Sequence, residues 1–169
     1  ENIIHTRSVI VATGATHNML NVPGEAEYTG KGVSYCATCD GAFYRGKEVA
    51  IVGGGDVALE DALYLSNMAA KVYLIHRRDE LRGAKHLQEQ VCATDNIEFI
   101  KDSVVTSVKG VDGMVSAVGV KNLKTEDMKD IAVAGVFVAI GMKPVSDFVK
   151  GFVDMDSFGY IIASEEGIT

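Results

Sequence analysis

Three consecutive glycines, Gly53-Gly54-Gly55, separate two apolar segments of different period, and no other feature of the sequence restricts the fold as much. Before them, Glu48–Val52 is a short β-branched run that reads as a strand buried on both faces. After them, Val57, Ala58, Ala62, Leu63, Leu65 and Met68 recur at roughly helical spacing, with Asp56 in the first turn where a carboxylate suits the helix dipole. Residues 72–75 form a third strand, and a second helix is expected over 79–92 with Leu81, Ala84, Leu87 and Val91 on one side. Strand, glycine turn, helix, strand, helix is the opening of a doubly wound parallel sheet.

The flanking sequence is read the same way. Residues 8–13 are a β-branched run closed by Gly14 and read as a strand buried on both faces, and Asn21, Pro23, Gly24 and Gly30 mark an irregular connection after it. From Asn96 onward the period changes. Residues 97–100, 104–108, 114–120 and 131–133 are short strands, the middle pair joined through Asp112-Gly113, a strong hairpin signal. They predict an antiparallel three-stranded meander laid on the parallel sheet. Residues 136–140 return as a buried strand ending in Gly141, and beyond Pro144 the chain is loop-rich with one weak strand at 160–163. The expected fold class is α/β, a Rossmann-like parallel sheet with that meander.

Size and charge bound the function. A chain of 169 residues supplies one ordinary domain with a real core, and 47% hydrophobic with 23% charged residues is the composition of a folded protein. A net charge of -7 argues against nucleic acid or an anionic membrane as the main partner, because phosphate groups repel an acidic surface unless a basic patch is sharply localised, and one such patch exists at 76–85. No apolar run approaches the ~20 residues of a membrane span and no signal segment opens the chain, so a cytoplasmic location is expected by default.

Gly53-Gly54-Gly55-Asp56-Val57-Ala58 fits the dinucleotide fingerprint: a glycine for the tight turn, a second for close approach of a pyrophosphate, and a small third residue for helix–strand packing. Such turns also serve packing alone. The ribose-reading position, at the end of the next strand, carries no lone carboxylate but His76-Arg77-Arg78, with Arg82 a helical turn later. Guanidinium forks match phosphate oxygens, so the cluster suits a 2′-phosphate and hence NADPH, whereas NAD wants an acid for its free hydroxyl. A solvated basic helix start is the alternative, and Asp79 is placed to pair with one arginine and blunt the site.

Cys36-Ala37-Thr38-Cys39-Asp40 sets two thiols close enough to join and to carry two electrons, provided one is a thiolate at neutral pH. Asp40 is a proton donor or acceptor for the pair, or simply a turn or capping residue. Zinc is the rival reading, but it would have to recruit Cys92, His76 or His86 in place of a second cysteine pair. Cys92, in an apolar helical stripe, is expected to be a buried small hydrophobe, and His5, His17 and His86 are assigned nothing.

In order and spacing, Cys36-Ala-Thr-Cys-Asp-Gly41, Gly53-Gly-Gly-Asp-Val-Ala58 and His76-Arg-Arg-Asp-Glu-Leu-Arg82 resemble the low-molecular-weight, bacterial-type thioredoxin reductases. Val11-Ala-Thr-Gly14 is similar to the strand end leading out of that family's FAD domain, and Gly135-Val-Phe-Val-Ala-Ile-Gly141 to the strand closing its NADPH domain. The resemblance implies a homodimeric, NADPH-dependent disulphide reductase of FAD/NAD(P)-binding type acting on thioredoxin or a thioredoxin-like protein, with one FAD per subunit. Carried over, Cys39 faces the flavin, Cys36 attacks the partner disulphide and Asp40 is the acid. Arg77, Arg78 and Arg82, with His76 beside them, hold the 2′-phosphate; Gly53, Gly54, Gly55, Asp56 and Ala58 form the pyrophosphate turn; Ile140 and Gly141 border the nucleotide; and Thr13 and Gly14 lie on the FAD side.

The same resemblance divides the chain into 1–22, a remnant of the FAD domain and linker, 23–146, the NADPH-binding domain with the cysteine pair, and 147–169, a return segment. Hinges are expected at Pro23-Gly24 and after Pro144. Lys143-Pro144-Val145 departs from the family's usual Pro-Asn, and neither the opening flavin fingerprint nor the closing Gly-Asp segment falls within the sequence. The chain is therefore expected to be a central piece that binds NADPH weakly and is inactive alone. Two alternatives stand beside the reductase: an NADH-dependent flavoprotein partner of a peroxidase, and a non-catalytic nucleotide-binding module with a structural cysteine pair.

Overall fold

A computed structural model describes residues 2–168; the outermost positions of the two flanking segments, 1 and 169, lie outside the described residues. The chain forms two compact units, one from the residues up to Asn18 together with those from Met142 onward, the other Met19–Gly141. Leu20 and Val22 pack against the buried cluster of the second unit, which is why that unit begins ahead of Pro23.

The larger unit is built on a five-stranded sheet. Its elements are α1 (Glu25–Tyr28), β2 (Val33–Ser34), α2 (Ala37–Asp40), β3 (Glu48–Val52), α3 (Asp56–Ser66), β4 (Lys71–Ile75), α4 (Lys85–Ala93), β5 (Ile97–Ile100), β6 (Ser103–Val111), β7 (Met114–Asn122), β8 (Met128–Ala132) and β9 (Gly135–Val138). The strand order is β2-β9-β3-β4-β5, and every neighbouring pair is parallel. Successive side chains of a strand point to opposite faces, so β3 sends Val49 and Ile51 into one apolar cluster and Ala50 and Val52 into another. Helices α3 and α4 cover the first face with Ala58, Leu59, Ala62, Leu65, Leu87 and Val91. The meander β6-β7-β8 covers the second with Val105, Val108, Val118, Val120 and Ile131. Both faces are thus dry, which is why β3 and β4 read as continuous hydrophobic runs.

The hairpin at Asp112-Gly113 forms as expected: Val111 pairs with Met114, and both turn residues have positive φ, 53° and 80°. That is the left-handed pair that matches the twist of a two-residue hairpin. Residues 97–100 differ from expectation, because β5 joins the parallel sheet beside β4 and the meander consists of β6, β7 and β8 alone. The second helix starts at Lys85 rather than 79, since the amides of Arg82, Gly83 and Ala84 bond to the glycine turn and to Asp56 instead of to a helical ladder. Cys92 is exposed: Leu87 and Val91 define the buried stripe, and the next residue falls off it. The short elements α1, β2 and α2 were not anticipated, being too brief to show a period.

In the smaller unit, residues 8–13 form no strand, and Val9 and Ile10 are exposed. The strand is instead β1 (Ala15–His17), paired antiparallel with β10 (Met142–Pro144). Residues 160–163 contribute only an isolated bridge, Met155 to Ile161, because Asp156 Oδ1 accepts from the amides of Phe158 and Tyr160 and curls that segment into a turn. Among the described residues no helix is long and apolar enough to cross a membrane.

Asp61, half-buried on α3, has its carboxyl pushed up to about 6, by burial first and by the charge of Glu60 second. A raised acid is most stabilising when protonated, so this contribution is full below about pH 4 and is lost as pH rises through about 6. Asp61→Asn should therefore raise stability at pH 7.5 by about 1 kcal/mol after allowance for solvent screening. The gain should vanish near pH 4, and thermal melts of the two proteins across that range check it.

Candidate functional site

Because the five strands are parallel, their carboxyl ends open onto one rim, and the cysteine pair, the glycine turn, the arginine segment and Ile140-Gly141 all follow strands there. In spatial order the exits are Tyr35-Cys36 after β2, Ala139-Ile140-Gly141 after β9, Gly53-Gly54-Gly55 after β3, His76-Arg77-Arg78 after β4 and Lys101-Asp102 after β5. From β3 the chain proceeds through β4 and β5 in one direction, while β9 and β2 lie in the other. The crevice between β3 and β9 is thus a topological switch point, where open α/β sheets take their ligands.

The three glycines are not equivalent. A Cβ on Gly53 would strike the carbonyl oxygen of Ala139 and come within 2.7 Å of Ala58 Cβ, so Gly53 and the fully buried Ala58 must both be small. A Cβ on Gly54 would run into the imidazole of His76. Gly55, which caps α3 at φ -94° and ψ -176°, is different: a Cβ there would meet nothing within 4 Å. Neither backbone nor packing requires glycine at this position. A bare backbone facing open space at the start of an eleven-residue helix is the cradle that a pyrophosphate fits. Asp56 turns away from that cradle, its Oδ1 accepting from the amide of Ala84 at 2.6 Å.

The arginine segment hangs from the same turn. The amides of Arg82 and Gly83 both donate to the carbonyl of Gly54, at 2.7 and 3.2 Å, while Asp102 N donates to Arg78 O and Ser103 N to His76 O. Arg77, Arg78 and Arg82 are exposed, and among the described residues none of the three forms an ion pair. Asp79 does not blunt them as the sequence suggested. It pairs with Lys124 at 2.9 Å, and the hydrogen bond from Lys124 is the main cause that holds its carboxyl below the usual range. His76 lies at the base of the cluster, 5% exposed, and its Nε2 is the one buried side-chain nitrogen or oxygen without a hydrogen-bond partner among the described residues. Burial, then the charges of Arg82, Arg77 and Arg78, push its pKa down, so at neutral pH the ring is uncharged and supports Gly54 by shape.

Cys36 and Cys39 are joined in a disulphide with Cα atoms 5.3 Å apart. Cys36 caps the one-turn helix α2, its Sγ accepting from Cys39 N at 3.2 Å; Cys36 is half-buried and Cys39 exposed. Asp40 accepts a 2.6 Å hydrogen bond from Ser34 Oγ, and Ser34 Oγ in turn accepts from Cys36 N at 3.1 Å. Ser34 is buried at the end of β2 and was missed from sequence, where a serine in a two-residue strand carries no signal. It couples the acid to the backbone of the first cysteine. In the smaller unit, Thr13 Oγ1 donates to Val145 O at 2.5 Å, and Gly14, at φ 68°, accepts from Val145 N as the chain enters β1.

A family model described as pyridine nucleotide-disulphide oxidoreductase matches residues 1–169. The chain belongs to that family. Relatives include a thioredoxin reductase of Peptoclostridium acidaminophilum, 46% identical over 165 residues covering 94% of this chain and 52% of the relative. Another, from Streptomyces coelicolor, is 43% identical over 92% of this chain and 48% of the relative. The chain therefore spans about half the length of the curated relatives it matches. Among solved structures, a thioredoxin reductase of Lactococcus lactis superposes with a TM-score of 0.87 at 43% identity, covering 96% of this chain and 56% of that one. That of Streptococcus pyogenes gives 0.80 at 49% identity, covering 90% and 50%.

The contrast among the glycines is testable. Gly55→Asp offers α3 a better cap while setting a carboxylate in the cradle, so its melting temperature should match or exceed that of the parent while nucleotide affinity falls by at least about tenfold. Gly53→Ala should instead lose about 2 kcal/mol or more of stability, because the neighbours it meets include backbone. Thermal melts and calorimetric titration of both variants read the two effects separately.

Proposed function

We propose that the chain is the NADPH-binding, cysteine-bearing part of a thioredoxin-disulphide reductase. The observation that carries this reading is the vacant face of Gly55 beside three exposed, unpaired guanidinium groups whose loop is bonded to the same turn. A 2′-phosphate is what such a cluster selects, because the planar forks reach its oxygens pairwise, and the acid placed nearest the arginine pair is engaged elsewhere. Glu80, the other carboxylate of the loop, is exposed and forms no ion pair among the described residues.

In the whole protein, bound NADPH would supply a hydride and bound FAD would relay the electron pair toward the disulphide. The chain's own residues do the rest. Gly53, Gly54, Gly55 and Ala58 shape the turn for the pyrophosphate, Asp56 secures the loop that carries Arg82, and Arg77, Arg78 and Arg82 orient the adenosine end. His76 holds the turn in place, and Ile140 and Gly141 border the crevice from the exit of β9. Two electrons and two protons open the Cys36–Cys39 bond to two thiols, with Cys39 on the flavin side and Asp40 donating a proton. The Cys36 thiolate then attacks the disulphide of a thioredoxin-like protein and expels one of its sulphurs; Cys39 attacks the mixed disulphide, which releases the reduced partner and re-forms the original bond. Thr13 and Gly14 belong to the flavin side, and the working form is a cytoplasmic homodimer.

The decisive measurement is the nucleotide preference of the chain. NADP+ should bind more tightly than NAD+, and Arg77→Ala combined with Arg78→Ala should weaken NADP+ by about ten- to a hundredfold while changing NAD+ little. A preference for the nucleotide without the 2′-phosphate would sink the NADPH assignment and favour the peroxidase-partner type of flavoprotein. In the whole protein, Cys36→Ser and Cys39→Ser should each abolish thioredoxin reduction without loss of nucleotide binding, and the flavin-free chain should reduce no disulphide with NADPH.

A further inference from the structure

Lys124 lies in the turn between β7 and β8, far from the arginine loop in sequence, yet its ammonium group reaches Asp79 at 2.9 Å and Asp102 at 3.0 Å. The two acids differ. Asp79 is exposed within the loop, whereas the Asp102 side chain is only 10% exposed and sits on backbone of positive φ, 51°, in the turn after β5. That turn is itself bonded to both sides: Asp102 N donates to Arg78 O at 3.1 Å, and Leu123 N donates to Asp102 O at 2.6 Å. Lys124 therefore closes a triangle made of the arginine loop, the β5–β6 turn and the β7–β8 turn.

We infer that Lys124 is a positioning residue for coenzyme selection: by engaging Asp79 and Asp102 it keeps Asp79 off Arg77, Arg78 and Arg82 and leaves those guanidinium groups open to a 2′-phosphate. The inference rests on the reading of the arginine loop given above. Asp79 follows Arg78 directly and stands three residues before Arg82, so an Asp79 released from Lys124 shares one short loop with three guanidinium groups of opposite sign. Lys101 also attracts it, more weakly than Lys124. A free Asp79 would compete with the phosphate for the same donors and repel it as well. NAD+ carries no 2′-phosphate and should be indifferent, so the effect of Lys124 is expected in the ratio of the two affinities.

Calorimetric titration of the chain with NADP+ and with NAD+ tests this. Lys124→Met should weaken NADP+ by about three- to tenfold and leave NAD+ within about twofold, with the difference shrinking as salt is added. Lys124→Arg, which keeps the cation, should retain the wild-type ratio. Lys124→Met combined with Asp79→Asn should recover most of the lost NADP+ affinity, because the competing carboxylate is gone; Glu80 is common to all variants. A wild-type chain that does not discriminate between the nucleotides overturns the arginine reading and this inference with it. If the wild type discriminates but Lys124→Met leaves the ratio unchanged, only the role of Lys124 falls. A loss in Lys124→Met that spreads equally to NAD+, or that Asp79→Asn does not relieve, also overturns it by showing a merely structural tie.

Discussion

Two amides, those of Arg82 and Gly83, converge on the carbonyl oxygen of Gly54, and the arrangement of the rim depends on that convergence. It requires a turn tight enough to aim the carbonyl sideways, which a side chain at Gly53 or Gly54 would block. It requires close approach at Gly83 too, where a Cβ would strike Leu59. Because those amides are already used, the helix that would have begun at residue 79 cannot begin until Lys85, and the arginines are displayed from a secured loop. A loop whose backbone is already ordered loses less entropy when a ligand arrives, which favours binding by side chains that are individually mobile.

The two faces of the sheet divide the work. Helices α3 and α4 on one face set the turn and the arginine loop, and the apolar stripe that buries them does little else. The meander on the other face looks at first like packing material. Yet its β7–β8 turn sends Lys124 to the carboxylate side of the arginine loop, so electrostatic control of the rim comes from the face opposite the helices. Ser34 plays a comparable supporting part at the other end of the rim, tying Asp40 to the amide of Cys36.

Much of this was legible in the residues, and what was not has physical causes. Glu48–Val52 and the helix from Asp56 were readable because each has a clear period and a glycine break between them. Asp112-Gly113 was readable because only a few residues accept two successive positive φ values. The start of α4 was misread because Leu81 and Ala84 keep helical spacing while their neighbours' amides are captured by a turn far away in sequence. Ile97–Ile100 was assigned to the meander because a four-residue run does not reveal which sheet it joins. Residues 8–13 show that β-branched composition states a preference for burial but cannot supply a ladder partner. Within the site, the arginines and cysteines stood out as types, whereas the Lys124 bridge and the Ser34 contact are tertiary facts with no local pattern.

Parallel strands have a second end. The amino-terminal rim of the sheet is closed by main-chain bonds from Gly46 to Met68 and from Ala70 to Lys47. Gly46 is exposed at φ 70°, with open space where a side chain would project. A five-residue strand is about 17 Å long, so that corner is a strand's length from the crevice between β3 and β9. A fluorescent reporter or affinity handle attached to a side chain at that corner would ride a strand's length from the crevice.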